Sequence, residues 1–180
     1  MKRIIPILLL ACSVSCQKKE EIKPVTEIVA ENTPQQLLEI EVSRVPGGSF
    51  PSVIELKGDT ANIVTKYNYN VYKLDHPNSS LDEKSYYEYF NTDRAYKKSL
   101  NKMPIEIFRK LPNVNNVKYK IAAIHEDYEI SINRQEFENY IGGKPETFEA
   151  EWTKKVSDPI TYDDAGRDRF FKKFGKYTKK

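Results

Sequence analysis

Both cysteines of this chain, Cys12 and Cys16, fall within its first sixteen residues. Whatever folds beyond them has no disulfide to constrain it and must rest on a hydrophobic core. Roughly 165 residues are left for that purpose, enough for one domain with a buried core. The hydrophobic fraction of 39% is low for a globular chain, and 12 tyrosines are part of it. Tyrosine carries a polar tip on an aromatic body, so the core is expected to include rings lying half in water.

Periodicity predicts a single α+β domain over residues 36–180, an antiparallel sheet of about five strands with helices packed on one face. Leu38, Ile40 and Val42 alternate with Glu39, Glu41 and Ser43, which predicts a strand ended by Pro46-Gly47-Gly48. Val53 to Leu56 predicts a second strand, stopped by Gly58-Asp59. Ile63, Thr65, Tyr67, Tyr69 and Val71 predict a third, and the three together read as an antiparallel meander. Ser80-Leu81-Asp82-Glu83 matches a capping box, Thr92 or Asp93 can open a second helix, and Pro104 suits the first position of a third over Ile105 to Leu111. Val117 to Ile124 and Tyr128 to Ile132 predict a hairpin about His125-Glu126-Asp127. Asn133 with Glu136 caps a helix that carries Phe137 and Ile141 and stops at Gly142-Gly143. Phe148, Ala150 and Trp152 alternate like a strand, yet Phe148 and Trp152 also fit a helix. Asp164 is read as the cap of a last helix, with Phe170, Phe171, Phe174 and Tyr177 on one side and Arg169, Lys172, Lys173 and Lys176 on the other.

Chemistry is harder to find. His76 and His125 lie in separate turns, and no short-spaced ligand pair suggests zinc. Asp158, Asp163, Asp164 and Asp168 form the densest carboxylate cluster, but Ala165 stands where a calcium loop needs a ligand, and helix capping accounts for Asp163 and Asp164. There is no nucleophile elbow and no phosphate-binding glycine loop. No catalytic residue, metal or cofactor is expected. The aromatic residues remain: Tyr67, Tyr69, Tyr72, Tyr86, Tyr87 and Tyr89, with Phe90, are a candidate binding surface for sugar rings or a partner protein, or else pack on the sheet. The basic aromatic end of the chain has the same two readings, core or anionic surface.

At the N-terminus, Lys2 and Arg3 precede the apolar run Ile4 to Ala11, and small residues Ser13 and Ser15 lead to Cys16. This segment resembles the signal peptide of a bacterial lipoprotein, whose cysteine at the cleavage point is acylated with diacylglycerol and palmitate. Cys12 has the better local box in Leu9-Leu10-Ala11, but cleavage there would leave a leader well short of the roughly 15–30 residues expected. The resemblance therefore implies a leader over residues 1–15, lipidation at Cys16 with Cys12 as second choice, and a flexible tether over residues 16–35. Its apolar run is far short of the roughly 20 residues that cross a bilayer. Gln17-Lys18-Lys19-Glu20-Glu21 also resembles the export signals that place some Gram-negative lipoproteins on the outer face of the outer membrane, the periplasmic face being the alternative. Removing Lys2 and Arg3 leaves 27 basic against 26 acidic residues, a balance unlike that of a nucleic-acid binder. The function expected is that of an outer-membrane, lipid-anchored envelope protein, non-enzymatic, that binds an envelope protein or assists an envelope assembly. A glycan-binding or glycan-hydrolysing lipoprotein is the alternative, and an inhibitor or immunity protein fits the same size and place.

Residues 17–35 carry too little apolar surface to offset their ordering entropy. A chain starting near Thr33 should melt as cooperatively, and at the same temperature, as one starting at Gln17. A drop of several degrees in calorimetry would show instead that the segment packs on the domain.

Overall fold

Five strands pair in sequence order in the computed structural model, which describes residues 32–180 except residue 124: β1 (Val53–Lys57), β2 (Thr60–Lys66), β3 (Asn116–Ala122), β4 (Glu126–Asn133) and β5 (Gly175–Lys179). The expected leader, Cys12, Cys16 and the tether as far as residue 31 lie outside the described residues. The fold is α+β, a mostly antiparallel sheet with helices on it. One pairing is parallel, β2 with β3, so the meander predicted for the first strands is not formed. Asp59 fixes this wiring. Gly58, at φ +60°, lets β1 turn straight into β2. The carbonyl of Asp59 then accepts from the amides of Asn115 (2.8 Å) and Asn116 (3.1 Å), which seats Asn116 beside Thr60 and sets the parallel register.

Alternation along the strands separates two faces. Ala61, Ile63, Thr65, Val117, Tyr119, Ile121, Tyr128, Ile130 and Ile132 are buried on one. Their neighbours on the other face, among them Asn62, Lys118, Lys120, Glu129 and Lys176, are exposed or half-buried. Helix α4 (Asp93–Lys110) lies across β3 and β4 on the buried face, and α7 (Asp164–Phe174) lies beside it against β4 and β5.

Several predicted elements are replaced. The expected strand at Leu38 to Ser43 is helix α1 (Pro34–Arg44), which begins inside the expected tether. Thr33 and Gln36 form its capping box, and Leu38 and Val42 fit the helical i, i+4 spacing as well as the strand alternation. The third strand ends at Lys66 instead of Val71, because Asn68 accepts from the amide of Val71 and opens α2 (Tyr69–Asp75). Asp82, not Ser80, caps α3 (Glu83–Tyr89) through the amide of Ser85. Helix α5 (Arg134–Ile141) has the predicted Asn133–Glu136 box and a left-handed Gly142 cap. Phe148 to Trp152 is neither strand nor α-helix but runs through a 3₁₀ segment, Pro145–Glu151, into a π-turn, Thr153–Ser157, and the short α6 (Asp158–Thr161). Asp163, not Asp164, caps α7.

Pro104 starts no helix; it sits inside α4. An interior proline costs about 3 kcal/mol. Leu100, Met103, Ile105, Ile107 and Phe108 around it are all fully buried, each contributing about 1.5–3 kcal/mol, so burial outweighs the lost bond. The guanidinium of Arg134 closes the other end of α4. It donates to the carbonyls of Phe108 (3.0 Å), Leu111 (2.7 Å) and Val114 (3.0 Å). Trp152, buried, donates its indole N–H to Glu106 of α4 at 3.0 Å, which ties the irregular segment to the same helix.

The chain's end departs furthest from expectation. Phe170 and Phe171 are buried on α7 and Phe174 is half-buried, but Tyr177 belongs to a strand. Gly175 makes the switch, since a Cβ there would stand 2.4 Å from the Phe171 ring. Phe170 contacts Tyr140 of α5 and Phe174 edge-on or tilted, with centroids at 5.1 and 4.9 Å. Phe170→Ala should cost about 3–5 kcal/mol in denaturant unfolding. Phe174→Ala, at a half-buried position, should cost distinctly less, and equal losses would contradict this placement.

Candidate functional site

A trough of about 810 Å³ lies between the start of α4, α7 and the β4–β5 pair. Its floor is aromatic. Tyr128 of β4 stacks on Tyr96 of α4 with centroids 4.4 Å apart and planes within 9°. Phe171 and Tyr177 flank Tyr128, each 6.4 Å from it. Tyr128 is buried, whereas Tyr177 is 61% exposed and forms the rim.

Charged groups line the walls in pairs. Lys97 reaches Asp93 one turn before it (2.7 Å) and Asp168 on α7 (3.1 Å), so a single ammonium bridges the two helices. Burial pulls its pKa down, but hydrogen bonds to the two carboxylates outweigh that and hold it above the usual lysine value. The Tyr128 hydroxyl donates to Glu126 at 2.5 Å. Burial first, and then the Glu126 charge, raise the pKa of that phenol well above its ordinary value. Lys172 and Lys176 add positive charge on the outer side.

The six tyrosines named from the sequence do come together, but elsewhere and mostly facing inward. Tyr67, Tyr72 and Tyr86 are buried, Tyr69 and Tyr87 half-buried, and Tyr89 is the exposed ring of the set. Four of the hydroxyls are engaged by the main chain. Tyr67 donates to the carbonyl of Tyr87, Tyr86 to that of Lys66 (2.9 Å) and Tyr69 to that of Leu81 (3.1 Å). The Tyr86 and Tyr87 hydroxyls accept from the amides of Asn68 and Tyr69. Tyr72 shares a 2.7 Å bond with Ser79. These contacts clamp α2 and α3 onto the end of β2. A shallow cleft remains at the edge of the cluster, where Phe50, Tyr72 and Tyr89 meet Ser79, Ser85 and Asp82.

His76 packs tilted against Tyr72 with centroids 4.8 Å apart and His125 is exposed in the β3–β4 turn; neither lines the trough. Among the described residues no three His, Cys, Asp or Glu side chains gather as a metal site, and no helix is long and apolar enough to cross a membrane. Sequence reasoning missed the trough because Asp93, Lys97, Glu126 and Asp168 come from separate segments with no shared motif. The one available signal was the basic aromatic run from Arg169 to Tyr177. No protein-family model, curated protein or solved structure matches the chain.

The trough separates a buried floor from an exposed rim. Tyr128→Ala, buried, should cost about 3–5 kcal/mol, while Tyr177→Ala, exposed, should stay within about 0.5 kcal/mol of wild type. Equal losses in urea unfolding would show that Tyr177 is part of the core.

Proposed function

We propose that this is a lipid-anchored protein of the cell envelope, held at the outer membrane through an acylated Cys16, that works by binding a partner in the trough and not by catalysis. The observation that carries the binding reading is the geometry of the trough, where Lys97 is tied between Asp93 (2.7 Å) and Asp168 (3.1 Å) and the Tyr128 hydroxyl donates to Glu126 beside the exposed Tyr177. A general acid or base works best with a pKa near the ambient pH. Lys97 is instead held protonated between two carboxylates, and the Tyr128 phenol is pushed further from neutrality. Charges fixed in this way are suited to orienting a ligand. The exposed Tyr177 and the aromatic floor supply the apolar contact that such a ligand would need.

A glycan-binding reading is favoured by a different observation, the cleft where Phe50, Tyr72 and Tyr89 meet hydroxyl-bearing Ser79 and Ser85. Titration with peptidoglycan fragments should then perturb Tyr89 and leave Tyr177 unmoved. The anchor is tested separately. One acyl chain gives only marginal membrane binding, so stable anchoring needs more than one. Cys16→Ser should abolish palmitate labelling and release the protein from membranes, whereas Cys12→Ser should do neither. Loss of labelling in Cys12→Ser alone would move the anchor to Cys12.

A further inference from the structure

The two edges of the sheet are treated differently. At β1 the carboxamide of Gln35 takes the place of a neighbouring strand: its Nε2 donates to the carbonyl of Ile54 (2.9 Å) and its Oε1 accepts from the amide of Leu56 (2.8 Å). That edge is occupied. At β5 no such group is present among the described residues.

The register identifies the groups that β5 leaves free. The amide of Lys180 donates to the carbonyl of His125 at 3.0 Å, one step beyond the Glu126–Lys179 pair. In an antiparallel ladder the hydrogen-bonded pairs alternate. Asp127–Thr178 and Glu129–Lys176 are therefore the bonded pairs, and Tyr177 and Lys179 turn both N–H and C=O outward. Gly175 offers only its carbonyl, since its N–H donates to Phe171. This open edge runs beside the trough. Tyr177 and Lys179 share the helix-side face with the aromatic floor, and Lys176 and Thr178 share the opposite face.

The charge on this edge selects the occupant. Lys172 and Lys179 make no ion pair among the described residues, and the one partner of Lys176 is Glu129 at 3.6 Å. Lysines on an edge repel a second copy of the same strand and attract an acidic one. We propose that β5 accepts an extended acidic peptide segment of another protein as a sixth strand, with alternate apolar side chains entering the trough and the acidic ones, on the opposite face of the sheet, meeting Lys176. Main-chain bonds then give affinity and the trough gives selectivity, as in strand addition generally. The proposal rests on the trough being a binding site.

The test uses the full-length acylated protein in detergent and a fluorescein-labelled heptapeptide alternating Glu and Val, with a Lys–Val heptapeptide as control. Anisotropy should rise saturably with the acidic peptide and be at least about ten-fold weaker with the basic one. Lys176→Glu, which reverses the charge facing the acidic side chains, should weaken the acidic peptide by a similar factor. Lys179→Pro removes an outward N–H and spares the bonds to β4, so it should weaken binding more than Lys179→Ala, with melting unchanged within about 2 °C. Should these variants fail to fold, hydrogen exchange on the wild-type protein decides: residues 175–180 should exchange more slowly with the acidic peptide present. No saturable binding, equal binding of the basic peptide, or unchanged exchange at residues 175–180 would overturn the proposal. Binding lost in Tyr177→Ala but without slowed exchange at Lys179 would keep the trough as the site and overturn strand addition alone. Membrane release of Cys16→Ser reports on the anchor independently of all these results.

Discussion

A phenol with no water to turn to holds the centre of this domain. Tyr119 is fully buried on β3, and its hydroxyl lies 3.2 Å from Thr65 of β2 and 3.2 Å from Ser99 of α4. Burial raises its pKa, so the group stays neutral and needs its partners as a hydroxyl. Leaving such a group unsatisfied costs about 1–3 kcal/mol, a sizeable part of the 5–15 kcal/mol by which domains are stable. The two bonds can form together only if β2 lies beside β3 and Ser99 faces the sheet. The rotational setting of α4 is thus tied to the β2–β3 pairing through one hydroxyl. The trough follows from that setting, because Lys97 and Tyr96 precede Ser99 on the same helix and take their direction from it.

Polar tips on aromatic bodies recur throughout the core and explain how a chain of modest hydrophobicity fills it. Around α2 and α3 the hydroxyl of Tyr86 bonds the Lys66 carbonyl at the end of β2, and those of Tyr67 and Tyr69 bond the carbonyls of Tyr87 and Leu81. Phe50 packs among these rings, with centroids 4.6–5.7 Å from Tyr72, Tyr86, Tyr89 and Phe90. These tyrosines do the work of both side-chain packing and turn chemistry. That is why they face inward although their composition suggested a platform.

Legibility in the sequence followed the range of the signal. The β3–β4 hairpin and α5 were readable because Asn133, Glu136 and Gly142 act on their own neighbours. Helix α1 was misread because Leu38 and Val42 satisfy two periods at once and the deciding residue, Thr33, lay in a stretch taken for tether. Pro104 was read by its local cost, which the burial of five side chains on the same helix overrides. Strand β5 could not be seen, since a five-residue segment with one glycine and two lysines gains its conformation only from β4. The trough was less legible still. Its bridging ion, Lys97, meets Asp168 across 71 positions of sequence, and nothing local distinguishes it from any other helical lysine.

The parallel pairing of β2 with β3 has a consequence for how the chain reaches this structure. The β1–β2 and β3–β4 hairpins close over a few residues each, whereas β2 meets β3 only across a crossover of roughly 50 residues, whose closure entropy must be met before the pairing contributes anything. Two hairpins can therefore form early and independently, with the joining of β2 to β3 as the expected slow step. The contacts at that seam, Asp59 with Asn115 and Tyr119 with Thr65 and Ser99, are then the ones whose formation commits the chain to its topology.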